Sequence, residues 1–157
     1  MSRRGYILIA VASLAGVAAL AILLVIFLRD DDGEPELTRA EYIARVEAVC
    51  RDYNRRLARI PAPVAVGNPQ AVAESIDQAL PLVEQRAARA RAIAPPPELA
   101  ARVRRVFSLS DTAIAELRSA RAAADAGSLE RSGRALGRFL AAAEEARTAA
   151  QTIGLNC

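Results

Sequence analysis

TRAEYIARVEAVCRDYNRRLARI, residues 38–60, combines a helix start with a helical pattern of apolar residues. Thr38 and Glu41 fit a capping box, in which each side chain accepts a hydrogen bond from the backbone amide of the other residue. Apolar residues then recur at alternating spacings of 3 and 4, which predicts a helix with one buried face. These residues are Ile43, Val46, Cys50, Tyr53, Leu57 and Ile60. Pro61 and Pro63 are expected to end the helix.

A second helix is predicted to begin after Asn68, whose side chain suits the N-cap, with Pro69 at the first helical position. Pro81 lies inside this helix and removes one backbone donor, so we expect a kink or a break around residues 77–81. Such a proline marks either a functional bend or a tolerated irregularity. The apolar stripe of this helix comprises Val72, Ile76, Ala79, Val83, Ala87 and Ala90.

Two further helices follow a proline corner at residues 94–97. Pro97 suits the start of a third helix that runs to about Ala126, and Gly127 can take the left-handed position after it. Ser128 can cap a fourth helix, which Gly154 ends. The residues of the third helix expected to face inward are Leu99, Val103, Val106, Ser110, Ala113, Leu117, Ala120 and Ala124. Those of the fourth helix are Leu136, Leu140, Ala143 and Ala150. Four helices with short connections predict an all-α fold, an antiparallel up-down four-helix bundle over residues 38–157.

Residues 5–28 precede the bundle and contain no charge. At about 1.5 Å per residue a helix of this length spans about 36 Å, enough to cross a hydrocarbon core of about 30 Å. Two arginines precede this segment, so we expect residues 1–4 to form a cytoplasmic tail and the bundle to lie outside. Residues 29–37 form an acidic linker. The alternative is a protein secreted after signal cleavage near Ala21, where an A-x-A motif occurs.

Cys50 and Cys157 are the two cysteines of the chain. Outside the cytoplasm an even number of cysteines favours a disulfide, and this one would close a loop of more than 100 residues. The chain-entropy contribution for such a loop is about 4.7 kcal/mol. Free thiols and a redox role are the alternatives. Redox catalysis is disfavoured because neither cysteine belongs to a C-x-x-C pair.

Three sequence features carry a resemblance. LTRAEY occupies residues 37–42 after the apolar segment, IAPPP forms the corner at residues 93–97, and GLNC occupies residues 154–157. The chain resembles the small exported or membrane-anchored helical proteins of actinobacteria that carry one cysteine pair. The resemblance implies an envelope location, a helical fold and the pairing of the two cysteines. Because those proteins mostly lack an assigned activity, it implies no functional residues.

The composition argues against most catalytic chemistry. The chain contains no His and no Lys, since all 21 basic residues are Arg. It therefore has no Ser-His or Cys-His nucleophile and no Schiff-base lysine. A Gly-rich phosphate loop and the Glu-x-x-His pairs of di-iron bundles are absent too, and two cysteines make a poor zinc set. We predict no enzymatic activity, no cofactor and no metal site.

The charge distribution argues against a nucleic-acid partner. The formal charge is +3, but Arg3 and Arg4 precede the apolar segment, and the rest of the chain carries 19 Arg against 18 acidic residues. Nucleic-acid binders concentrate basic residues on one face and add stacking aromatics, whereas aromatics make up only 4% of this chain. The expected partners are membrane lipid, through the apolar segment, and an unknown envelope protein or polymer.

Two arginine clusters are candidate anion-binding sites. They comprise Arg55, Arg56 and Arg59 at the end of the first helix, and Arg102, Arg104 and Arg105 on the third. Arg86 and Arg89 also share a helix face. Such faces bind anionic lipid headgroups or cell-wall polymers. The alternative is a solvated helix surface.

Two functions fit these features. The first is a non-enzymatic, membrane-tethered helical module for interaction or structure at the cell envelope. The second is an extracytoplasmic binder of a small ligand or an anionic polymer, which would use a groove near Pro81 or the arginine faces. A large apolar pocket in the bundle would favour the binder, and a solid alanine-packed core would argue against it.

Overall fold

The computed structural model describes residues 36–61 and 67–157, so the predicted tail, the apolar segment and most of the linker lie outside the described residues. The described part contains four α-helices and no strand, which confirms the all-α fold. The helices are α1 (Arg39–Leu57), α2 (Pro69–Arg91), α3 (Pro97–Asp125) and α4 (Leu129–Gln151). None of these four helices is long and apolar enough to cross a membrane.

The helix starts follow the predicted capping signals. Thr38 and Glu41 form both hydrogen bonds of the capping box, with the Thr38 amide donating to the Glu41 carboxylate over 2.9 Å. The side chains of Asn68 and Ser128 accept hydrogen bonds from backbone amides two and three residues further along. These contacts satisfy amides that have no partner within their own helix, so local sequence sets where these helices begin.

The helix ends follow the prediction less closely. Gly127 and Gly154 have φ angles of +72° and +90°, as expected for left-handed residues after a helix. However, α1 ends at Leu57 rather than at Ile60, which lies in a turn. The reason is steric, because the residue before Pro61 is disfavoured in the helical region.

Pro81 lies within α2, which continues through it as one helix. A kink or a break was predicted around residues 77–81, and the break is excluded because the helix is continuous. Pro81 is exposed, and so is Asp77, whose carbonyl oxygen loses its amide partner to the proline. On this outer face water can hydrate that carbonyl group, so the helix tolerates the missing hydrogen bond.

Interhelical ion pairs show the directions of neighbouring helices. Three pairs join α2 to α3, and positions on α2 fall as positions on α3 rise, so these helices run antiparallel. The pairs are Arg91–Asp111, Arg118–Glu84 and Arg121–Asp77. A connection of three residues and the Arg138–Glu116 pair show that α3 and α4 are antiparallel as well. The predicted helical bundle is confirmed at this level.

The core consists of two clusters of buried residues. The first joins the start of α1, the end of α2, the start of α3 and the residues after α4, and includes Tyr42, Leu99 and Ile153. The second joins the start of α2, the end of α3 and the start of α4, and includes Ile76 and Leu117. No buried member of the second cluster comes from α1. The core-cluster residues of α1 therefore all belong to the first cluster, while Tyr53, buried nearer the end of α1, belongs to neither.

The inner face of α4 differs from the prediction. Leu140 is 65% exposed, whereas its neighbour Phe139 packs against the second core cluster. Adjacent helix positions point about 100° apart, and here Phe139 takes the inner position while Leu140 points to solvent. The buried residues of α4 are Ser132, Ala135, Ala142, Ala146 and Ala150. This face carries almost no large side chain.

A disulfide links Cys50 of α1 to Cys157, with their Cα atoms 5.5 Å apart, and confirms the predicted pairing. Neither cysteine is a free thiol. The segment after α4 is also held to α1 by hydrogen bonds. The Arg39 guanidinium donates to the carbonyl of Ile153 over 3.3 Å, and the Asn156 amide donates to the Glu47 carboxylate over 3.2 Å.

Candidate ligand-binding cavity

A cavity of about 350 Å³ lies between the helices of residues 37–157. All four helices and the segment after α4 contribute to its wall, mostly with Ala, Val, Leu, Ile and Phe side chains. Small-molecule sites typically have volumes of about 300–1,000 Å³ and predominantly apolar walls. In size and character this cavity is therefore a candidate ligand site.

Small and large residues together line the cavity. Ala143, Ala146 and Ala150 of α4 each present only a methyl group to the space. Phe107 of α3 and Phe139 of α4 line the same cavity, and their bulk opposes closure of the helices over the alanines. The cavity is partly open, so without a ligand its apolar wall would face water, and covering that wall with an apolar ligand is favourable.

Several lining residues were predicted to face inward. Ala79, Val83 and Ala87 of α2 and Val106 and Ser110 of α3 all line the cavity. Periodicity thus identified the correct faces, but it left open whether a solid alanine-packed core or an apolar pocket lies between them. Residues outside the predicted stripes also line the cavity, and these include Leu155 and Ile153 after α4, Ile114 on α3 and Arg86 on α2.

Few side chains in the wall carry polar atoms, and two of them are satisfied locally. The Ser110 hydroxyl donates to the carbonyl of Val106 over 2.9 Å. Two guanidinium nitrogens of Arg147, Nε and Nη2, donate to the carboxylate of Glu144. These contacts leave the two groups little capacity to bind a ligand.

Tyr42 is fully buried in the wall, and its hydroxyl has no hydrogen-bond partner among the described residues. Burial raises the pKa of the Tyr42 hydroxyl, because the phenolate would be poorly solvated. The group therefore stays neutral and can donate one hydrogen bond. Buried polar groups without partners are uncommon in folded proteins.

Arg86 is the other unusual group of the wall. Its Nη1 donates to the side-chain oxygen of Asn54 over 3.1 Å, and no carboxylate of the described residues lies within salt-bridge distance. The side chain is half-buried. Burial lowers the pKa of the Arg86 guanidinium, although arginine remains charged in proteins. The cavity wall thus holds a positive charge that no acidic side chain neutralises.

The two predicted arginine clusters lie at opposite ends of the bundle. The first core cluster places the start of α1 beside the start of α3, so the end of α1 lies at the far end. Arg55 and Arg56 both pair with Asp52, and Arg59 lies in the turn after α1. The residues of the other cluster, Arg102, Arg104 and Arg105, are exposed on α3. The structure does not combine the clusters into one surface.

A second, more open depression lies beside the connection between α3 and α4. Its charged residues are Arg131, Arg134 and Arg138. Arg134 pairs with Glu130 and Arg138 with Glu116, and all three arginines are exposed. Elsewhere in residues 36–61 and 67–157, no three His, Cys, Asp or Glu side chains converge in a metal-binding arrangement.

No family model, no curated protein and no solved structure matches this chain.

Proposed function

We propose that the chain is a non-enzymatic, membrane-tethered binding module whose antiparallel four-helix bundle holds a small apolar ligand outside the cytoplasm. The cavity of about 350 Å³ carries this proposal. Its volume and apolar wall suit a small molecule, and a pocket of this kind favours a binder over a purely structural bundle. The lack of His and Lys in the chain supports a binding role rather than catalysis.

The proposed location rests on the disulfide and on the sequence before the bundle. Disulfides persist in oxidising compartments and are rare in the cytoplasm. The uncharged residues 5–28, preceded by Arg3 and Arg4, support an anchor with its N-terminus inside. Under this proposal the membrane is a partner through the anchor, and the cavity faces the cell envelope.

Labelling with a maleimide polymer in intact cells tests the location. Cys50 and Cys157 should react only after a reductant is added, because both thiols are held in the disulfide. Reaction without a reductant, and only after lysis, would place free thiols inside the cell and overturn the proposed topology.

Photo-crosslinking tests the ligand site. The full chain in lipid nanodiscs is irradiated with a neutral alkyl diazirine, and labelled peptides are mapped by mass spectrometry. We expect labelling at cavity residues such as Ile114 and Val83. Ala143→Leu should suppress it at least tenfold, because the larger side chain fills the space.

Ala141→Leu is the matched control, since Ala141 lies on the same helix but is exposed. This variant should keep the labelling of the cavity peptides. If the probe labels only residues outside the cavity, or if both variants label equally, the bundle does not bind apolar ligands in this cavity.

A second candidate function is a protein interaction module, and two exposed leucines favour it. Leu129 and Leu140 are 37% and 65% exposed. They are eleven positions apart on α4, which places them on one face. A photoreactive amino acid at position 140 should crosslink an envelope protein in cells, and one at the exposed position 145 should not. Equal capture at both positions, or none at position 140, would rule out this face as an interaction site.

A further inference from the structure

Arg86 is chemically unlike the other arginine that lines the cavity. Arg147 is neutralised by Glu144 through two guanidinium nitrogens. Arg86 has a neutral partner, the amide oxygen of Asn54, which occupies Nη1. Arginine carries five N–H donors, so most donors of Arg86 have no protein acceptor among the described residues. The free donors form a planar fork, which suits a carboxylate through two parallel hydrogen bonds.

The lining of the cavity is elongated. It extends from Tyr42 to Leu57 along α1 and from Val103 to Leu117 along α3. At about 1.5 Å per residue these segments are about 22 Å and about 21 Å long. A mostly apolar lining of this length suits the extended hydrocarbon chain of an amphiphile.

Arg86 lies within the length of this lining. Along α2 the lining continues from Arg86 to Ala90 in one direction and to Ala79 in the other. The hydrogen bond to Asn54 places the Arg86 guanidinium twelve residues, about 18 Å, from Tyr42 on the scale of α1. Asn54 is exposed and Tyr42 is fully buried, so a chain that starts at Arg86 extends from a position near solvent towards the buried part of the cavity.

We propose that the ligand is a single-chain amphiphile with a terminal carboxylate, a fatty acid, whose carboxylate binds Arg86 and whose hydrocarbon chain lies along the cavity. This proposal rests on the proposed function and adds the class of ligand. The carboxylate supplies the countercharge that Arg86 lacks. The chain fills apolar space that would otherwise be empty or wet.

Competition against the neutral alkyl diazirine tests this proposal. Dodecanoate and dodecanol have hydrocarbon chains of the same length and differ in charge. Both are titrated at pH 8 against the probe, with the full protein chain in nanodiscs. The measured quantity is the ratio of the dodecanol concentration to the dodecanoate concentration that displaces the probe from cavity peptides. Because both competitors partition into lipid, this ratio is compared between variants, where the partition cancels.

Arg86→Gln should lower the ratio about 10- to 100-fold relative to the unmodified chain, the range for a charged hydrogen bond, because the glutamine cannot supply the charge. Arg86→Lys should keep part of the preference, since it keeps the charge but loses the fork. Arg89→Gln is the matched control, because Arg89 lies on the exposed face of the same helix. It should preserve the full ratio. An intact disulfide and unchanged helicity show that each variant is folded.

A ratio in Arg86→Gln equal to that of the unmodified chain would overturn the fatty-acid proposal and leave the cavity as a site for neutral apolar molecules. Equal ratios in Arg86→Gln and Arg89→Gln would overturn it as well, because the charge of Arg86 would then have no part in binding. Failure of both competitors to displace the probe would instead contradict the proposed function itself.

Discussion

Gly154 shows how one residue directs the chain across the end of the bundle. Its φ of +90° is accessible to glycine and strained for other residues. A Cβ atom at this position would approach Cδ1 of Ile43 to 3.3 Å, which is a tight contact. The turn returns Leu155 to the core, and the Leu155 amide donates to the carbonyl of Ala150 over 3.1 Å. Without this turn the chain would not bring Cys157 to Cys50.

Replacing glycines by alanine separates the effects of strain, contact and helix propensity. Gly127→Ala should destabilise the fold by about 1–2 kcal/mol through backbone strain alone, because its φ is +72° and its Cβ would meet open space. Gly154→Ala should lower the free energy of unfolding further, because the contact with Ile43 adds to the same backbone strain. Gly137→Ala, in open space within α4, should stabilise by about 0.5–1 kcal/mol. Denaturant unfolding of the full chain measures all three, and equal losses at positions 154 and 127 would show that the Ile43 contact is unimportant.

At the scale of the helices, features that depend on neighbouring residues were easier to predict from the sequence than features that depend on packing between helices. The caps at Thr38, Asn68 and Ser128 were predictable because they depend on residues within one turn. The inward position of Leu140 was predicted wrongly, because Phe139 competes for the same face and only packing against α3 decides between them. The spacing of apolar residues identifies the inner face of a helix to within about one position. That precision is insufficient where two large apolar residues are adjacent.

The cavity was beyond the reach of sequence patterns. Its alanines were readable as inner residues, but alanine at an inner position is compatible with close helix packing and with an open space. The outcome depends on how closely the helices approach, and that distance is set by bulky residues on other helices, such as Phe107. From the sequence, Arg86 was predicted to share a helix face with Arg89. Only the position of α1 in the structure shows that Arg86 lines the cavity.

The ion pairs between helices predict an acid-dependent stability. The hydrogen bond from Arg121 holds the pKa of Asp77 below its ordinary value of 3.8, and that from Arg138 holds the pKa of Glu116 below 4.5. A carboxyl with a lowered folded-state pKa stabilises the fold above its ordinary pKa, and the effect is lost as the pH falls through the lowered value. Thermal stability should therefore be nearly constant from pH 6 to 8 and should fall below about pH 4.5.

The variant Asp77→Asn with Glu116→Gln should show a weaker acid dependence than the unmodified chain. Glu145→Gln is the control, because exposed Glu145 forms no ion pair with any described residue. The unfolding temperatures of the unmodified chain, the double variant and the control are compared from pH 3 to pH 8. An unchanged acid profile in the double variant would mean that these pairs do not control acid stability.

At the scale of the whole molecule, the disulfide joins two segments separated by 107 positions. It fixes α1, which contributes to only one of the two core clusters, to the segment after α4. Cys50, Leu155 and Cys157 also line the cavity. Stability and the shape of the cavity therefore depend on the same covalent bond.

Replacing both cysteines by serine should lower the free energy of unfolding by about 2–5 kcal/mol, because the unfolded chain loses a long covalent loop. Labelling of the cavity by the alkyl probe should fall as well, since the segment after α4 is no longer held against α1. Chemical reduction of the unmodified chain should reproduce both effects. A loss below about 1 kcal/mol with unchanged labelling would show that hydrogen bonds and packing alone hold this segment.

Methyl NMR of the full chain in nanodiscs with deuterated lipids tests most directly whether the cavity holds an alkyl ligand. The isoleucines provide internal probes, because Ile114 and Ile153 line the cavity, whereas Ile76 is buried in the second core cluster and does not line it. On addition of dodecanoate, we expect nuclear Overhauser contacts between ligand protons and the methyl groups of Ile114 and Ile153, stronger than any at Ile76. Absence of contacts at Ile114 and Ile153 under saturating ligand would contradict this expectation.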